Sequence, residues 1–144
     1  MLHSTTILWF AFCLLLLGCT DGQQSSTEIA TAEGAYDQGL AAFEAGDFQL
    51  AEDQLSRAID VGGLNPDLTA ESYLLRAESR TKLGKLDDAM ADVTAVEEGA
   101  PDLARFHQVR GNILLARGDK EGAKNAYEEA RRTDRTIKLP DALR

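Results

Sequence analysis

The chain has 144 residues, 44% of them hydrophobic, 27% charged and only 3 proline, the balance of one folded, helix-rich domain and not of a disordered chain. A formal net charge of -9 argues against nucleic acid or an anionic lipid surface as ligand, because both repel such a chain over a Debye length. Cys13 and Cys19 are the only cysteines, so a disulfide, a thiolate metal site and a cysteine nucleophile are excluded from everything downstream of Cys19.

From Ile7 to Leu17 runs an unbroken apolar stretch. It matches the hydrophobic region of a signal peptide and falls short of the roughly 20 residues that span a bilayer. Leu16-Leu17-Gly18-Cys19 follows, and it resembles the lipobox of bacterial lipoproteins: an aliphatic residue, a small residue before the cut, then cysteine. The resemblance implies a signal peptide over residues 1–18 and lipidation of Cys19, whose thiol supplies the sulfur that receives the diacylglycerol group. Several acyl chains on one cysteine meet the two-signal requirement for stable membrane anchoring. Thr20, standing where aspartate favours inner-membrane retention in lipoproteins, leans toward the periplasmic side of the outer membrane. Residues 19–31 are small and polar and are predicted to form a flexible tether; about 12 such residues reach on the order of 20 Å.

Residues 32–137 contain three registers that agree. Gly46, Gly84 and Gly118 recur at one pair of spacings, and the same pair separates Gly39, Ala77 and Gly111, and again Ala51, Ala89 and Ala123. Each unit reads helix, glycine turn, helix. This resembles the tetratricopeptide repeat, whose period is 34. The resemblance implies an all-α, right-handed solenoid of about three hairpins, with repeats near 32–69, 70–103 and 104–137 and a tail over 138–144. Ala58 and Ala130, Phe48 and Leu86, and Pro101 fill further signature positions, whereas Val96 and Lys120 depart from them. The first linker carries four extra residues within 61–67. Asp47, Asp87 and Asp119 stand near the start of each second helix, where a carboxylate favours the positive end of the helix dipole. One hairpin cannot bury its apolar stripe alone, so stacking is obligatory.

In tetratricopeptide domains the first helix of each pair lines a groove. Carried over, the groove positions are Glu33, Tyr36, Asp37, Leu40, Phe43 and Glu44; Glu71, Leu74, Leu75, Glu78, Thr81 and Lys82; and Arg105, Gln108, Val109, Asn112, Leu115 and Ala116. Such a surface suits a protein or peptide partner. The best candidates are Tyr36, Leu40, Phe43, Leu74, Leu75, Glu78, Gln108, Asn112 and Leu115. Leu74, Leu75 and Leu115 are equally well read as packing between repeats. The carboxylate clamp of chaperone-tail binders does not fit, since Glu33, Tyr36, Asp37 and Leu40 stand where lysine and asparagine are needed.

No catalytic pattern appears in the sequence: no phosphate loop, no serine elbow, no metal cluster and no cofactor motif. His107, the one histidine beyond the leader, is expected to pack within its repeat. An enzyme is therefore not expected. Charge is uneven, at -9, -4 and +4 over residues 19–69, 70–103 and 104–144. The basic end, with Arg105, Arg110, Arg117, Arg131, Arg132 and Arg135, either forms solvated faces or docks an acidic partner, including the acidic end of a second copy in a homodimer. The reading is a lipid-anchored adaptor in a bacterial cell-envelope assembly. Its alternatives are a regulatory or ligand-binding subunit of an envelope enzyme and a self-assembling spacer.

Overall fold

A computed structural model describes residues 21–144, so the leader segment and Cys19 lie outside the described residues. Six helices follow one another: α1 (Asp21–Glu44), α2 (Phe48–Val61), α3 (Pro66–Lys82), α4 (Leu86–Ala95), α5 (Leu103–Ala116) and α6 (Lys120–Thr133), with a closing 3-10 turn over Asp141–Leu143. Among the described residues there is no strand. Consecutive helices pair as hairpins, and α3 also meets α1 and α5, which makes the pairs a stack.

The glycine turns behave alike because they are chemically alike. Gly46, Gly84 and Gly118 have φ of +79°, +76° and +83°, a region closed to most residues with a Cβ. At each turn the amide of the next residue reaches back five positions, as Asp47 to Ala42 at 2.9 Å, Lys85 to Arg80 at 2.8 Å and Asp119 to Leu114 at 3.0 Å. This is the Schellman motif, which satisfies carbonyls the helix end leaves over. Asp47 and Asp119 then cap the following helices, accepting from Leu50 and Gly122 at 3.1 and 2.8 Å. Asp87 instead sits inside the first turn of α4, after an N-cap Lys85 that makes no side-chain cap bond.

Small residues let the hairpins close. A Cβ on Gly39 would lie 2.7 Å from Leu55 Cγ, and one on Gly111 would lie 2.8 Å from the Tyr127 ring. Ala77, in the same column, is fully buried. Leu55, Ala51, Ala42 and Leu75 form one core between α1, α2 and α3; Leu74, Ala77, Val93, Phe106, Val109 and Ile113 form another between α3, α4 and α5.

Two expectations are corrected. Within the segment expected to be a flexible tether (19–31), residues 21–31 are helical and continue α1 backward. Ile29 there contacts Gly63 in the loop before α3, close enough that a Cβ on Gly63 would sit 3.1 Å from its Cγ1. The inserted residues of the first linker also lengthen a helix more than a loop: Asn65 caps by accepting from Leu68 at 2.9 Å, Pro66 occupies the first helical position, and α3 starts four residues before Ala70.

Between repeats one and two lies a polar joint. Arg76 donates to both Asp92 oxygens, at 3.0 and 2.7 Å, and to Ser56 Oγ at 3.1 Å. Arg80 bridges Asp92 and Glu52 at 2.8 and 3.0 Å, and Lys85 reaches the second Glu52 oxygen at 2.6 Å. The buried carboxylates of Glu52 and Asp92 are tolerated because each meets two cations.

Candidate functional site

The C-terminal ends of α1, α3 and α5 enclose a cleft of about 470 Å³, lined by Phe43, Glu78, Thr81, Lys82, Asn112, Leu115 and Ala116. The stacking sets this arrangement. First helices of successive hairpins lie side by side, so residues one repeat apart face the same space. Phe43 is held edge-on against Phe48 across the glycine turn, with ring centroids 5.7 Å apart. Asn112 Oδ1 accepts the Tyr127 hydroxyl, which leaves its NH2 as the donor available to a ligand.

A charged bridge starts from the cleft wall at Glu78. Arg105 on α5 donates to Glu78 Oε2 and stands 3.5 Å from Glu71 Oε1, tying α5 to α3. Burial works against the Arg105 charge, but the two glutamates outweigh it and hold the guanidinium above its ordinary pKa. Burial pushes the Glu71 carboxyl up, against the pull of Arg105. The Tyr36 hydroxyl is raised by burial first, with Glu71 and Asp37 adding to it. Lys82 has no ion pair among the described residues, so the cleft offers an uncommitted cation beside the apolar surfaces of Phe43 and Leu115.

The structure thus brings together Phe43, Glu78, Asn112 and Leu115 from the expected set, with Thr81, Lys82 and Ala116 from the wider groove positions. Leu74 and Leu75 are corrected. Both are buried: Leu74 packs in the core that holds Phe106 and Val109, and Leu75 in the core that holds Ala51 and Leu55. Tyr36 and Leu40 are half-buried against that first core and lie outside the cleft lining, as does half-buried Gln108.

Four of the six basic-end arginines are engaged within the chain. Besides Arg105, Arg117 meets Asp87 at 2.6 Å, Arg132 meets Glu129 at 2.7 Å, and Arg110 stands 3.7 Å from Glu97. Arg131 and Arg135 join Arg132 and Glu128 around a hollow of about 430 Å³. His107 packs edge-on against Phe106 with centroids 5.0 Å apart, and burial lowers its pKa. Among the described residues, no group of three or more His, Cys, Asp or Glu is placed to hold a metal, and no helix is long and apolar enough to cross a membrane.

Sequence reasoning missed the joint of Arg76, Arg80, Glu52 and Asp92. Its signal was present: Arg76 and Arg80 are four apart and share one face of α3, amid positions otherwise small or apolar.

The tetratricopeptide repeat-like domain family matches residues 35–138. An ancillary SecYEG translocon subunit of Aggregatibacter actinomycetemcomitans is 39% identical over 95 residues, covering 65% of this chain and 45% of that protein. The protein of the same name in Haemophilus influenzae is 33% identical over 111 residues, covering 76% and 53%. The Hsp70-Hsp90 organizing protein of Triticum aestivum is 34% identical over 98 residues, covering 68% and 16%. The chain thus spans about half the length of the two bacterial relatives.

Proposed function

The chain belongs to the tetratricopeptide repeat-like domain family, and on that premise we propose that it is a protein-interaction adaptor of the bacterial cell envelope, tethered by lipid on Cys19. The observation that carries this reading is the cleft of Phe43, Lys82, Asn112 and Leu115, which joins apolar area to the Lys82 cation and an amide donor. An aromatic and a leucine flanking a few polar groups make the kind of surface that anchors a peptide or helix of a partner. The name shared by the bacterial relatives points to a translocon as the assembly served.

Copurification from detergent-solubilised native membranes tests the reading. The full chain is expected to retain discrete proteins, translocon components among them, and a Phe43→Ala, Leu115→Ala variant that keeps its helical circular dichroism is expected to lose them. Retention of the same proteins by the variant would contradict the cleft as the working surface.

The anchor is tested separately. Cys19→Ser is expected to release the protein from membranes, and its retention would remove the lipid from the account. Thr20 taken alone leans toward the periplasmic side of the outer membrane, whereas a translocon as partner requires the membrane that bears it. Fractionation with translocon-bearing membranes is therefore what the expected copurification entails, and it would remove the outer-membrane placement while leaving the adaptor reading intact. Copurification of a hydrolytic activity would favour the enzyme-regulator alternative, and concentration-dependent sedimentation the spacer or homodimer.

A further inference from the structure

Repeats two and three share one register, so Arg76 and Arg110 hold equivalent places, as do Arg80 and Leu114, and Asp92 and Ala126. In repeat two the arginine grips the aspartate with two donors, and the pair is nearly closed to solvent, with side chains 11% and 4% exposed. In repeat three the arginine remains and the carboxylate is replaced by a methyl group. A pocket of about 330 Å³ opens there between α5 and α6, with Arg110, Leu114, Ala126 and Asn125 on its walls. It shares no residue with the cleft.

The carboxylates around this pocket are committed elsewhere. Glu129 takes both oxygens to Arg132 Nη1, at 2.7 and 2.9 Å. Asp119 accepts the Gly122 amide at 2.8 Å as a helix cap. Arg110 makes a loose, exposed contact with Glu97 at 3.7 Å. A fork donor that its twin uses for a bidentate carboxylate therefore faces a pocket in the one part of the chain with net positive charge. Leu114 and Ala126 add an apolar wall suited to methylene groups, which selects a side chain over an inorganic anion.

We propose that the pocket between α5 and α6 binds an aspartate or glutamate side chain of a partner protein, gripped by Arg110 as Arg76 grips Asp92. The chain then has two docking points for partners, the cleft and this pocket, and the second reproduces between molecules an ion pair that the fold makes within itself.

The test is a nuclear magnetic resonance titration of the full chain, reading the Arg110 Nε–H signal. The probes are N-acetyl-aspartate N-methylamide, its asparagine counterpart, and inorganic phosphate at matched ionic strength. The aspartate probe is expected to give a saturable shift that neither control gives. Arg110→Gln is expected to weaken binding by roughly tenfold or more, the size of one charge-assisted pair. Ala126→Asp places a carboxylate in the pocket and is expected to abolish the response; should it fail to fold, the Arg110→Gln change decides alone. Equal shifts with phosphate or with the asparagine probe, no saturable shift at all, or a response unchanged in Arg110→Gln would overturn the proposal.

Discussion

Asp92 is 3% exposed and accepts from two arginines, so its charge is where the joint between repeats is most sensitive. Asp92→Asn leaves Arg76 and Arg80 buried without their shared anion and is expected to cost about 3–5 kcal/mol, measured by urea unfolding. At Glu52, burial opposes the charged form, but the hydrogen bonds from Lys85 and Arg80 outweigh it and hold the carboxyl below its ordinary range. A lowered folded pKa contributes stability above the unfolded value, about 4.3, and that contribution is lost as pH falls through the folded value. The melting temperature is therefore expected to drop on acidification below about pH 4, less steeply in Glu52→Gln. Glu71 works the other way, since burial raises its carboxyl, and its contribution fades as pH rises through the folded value. Glycines separate by the same local logic. Gly111→Ala drives a methyl into the Tyr127 ring and is expected to cost about 1–3 kcal/mol. Gly34→Ala, helical with open space around its Cβ, is expected to gain about 0.5–1 kcal/mol.

Helices with a periodic apolar face and a glycine stop were legible, because Gly46, Gly84 and Gly118 leave one conformation that ends the first helix of each pair. The start of α1 was not. Residues 21–28 are small or polar and carry no apolar period, and what favours a helix there is continuity with the buried turns of Ala32 and Ala35 and the contact of Ile29 with Gly63, a partner more than thirty residues on. Local composition carries no trace of that tertiary contact. Ile29→Asp is expected to raise amide exchange over residues 25–31 and leave α3 to α6 protected; uniform exchange changes would contradict this docking. The start of α3, by contrast, had a local signal that the repeat register passed over, Asn65-Pro66-Asp67, a cap followed by proline, and Asn65→Ala is expected to cost about 1 kcal/mol. The repeat register made the groove positions legible as candidates, and the seven residues that line the cleft are among them. Which of them open to solvent was not legible, because Leu74 and Leu75 occupy groove positions in the register, yet α5 and α2 cover them from opposite sides.

At the scale of the whole molecule, three hairpins form a stack whose charge runs from acidic to basic, with a cleft across the ends of all three first helices. The first and second hairpins are joined by the nearly buried Glu52 carboxylate with Arg80 and Lys85. The second and third are joined by the apolar core of Leu74, Phe106, Val109 and Ile113 with more exposed ion pairs around it, Arg105 with Glu78 and Glu71 and Arg117 with Asp87. The ends are therefore held differently, and acid is expected to loosen the first joint before the second, visible as earlier amide exchange in α1 and α2 than in α5 and α6. The central claim is that the cleft engages a protein partner. Its most direct test is a photo-crosslinking amino acid placed at Thr81, inside the cleft, and in a second variant at Gln49, exposed on α2, followed by irradiation of native membranes. The account expects discrete protein adducts from the Thr81 position that are absent from the Gln49 position. Adducts of the same proteins from both positions, or none from Thr81, would contradict it.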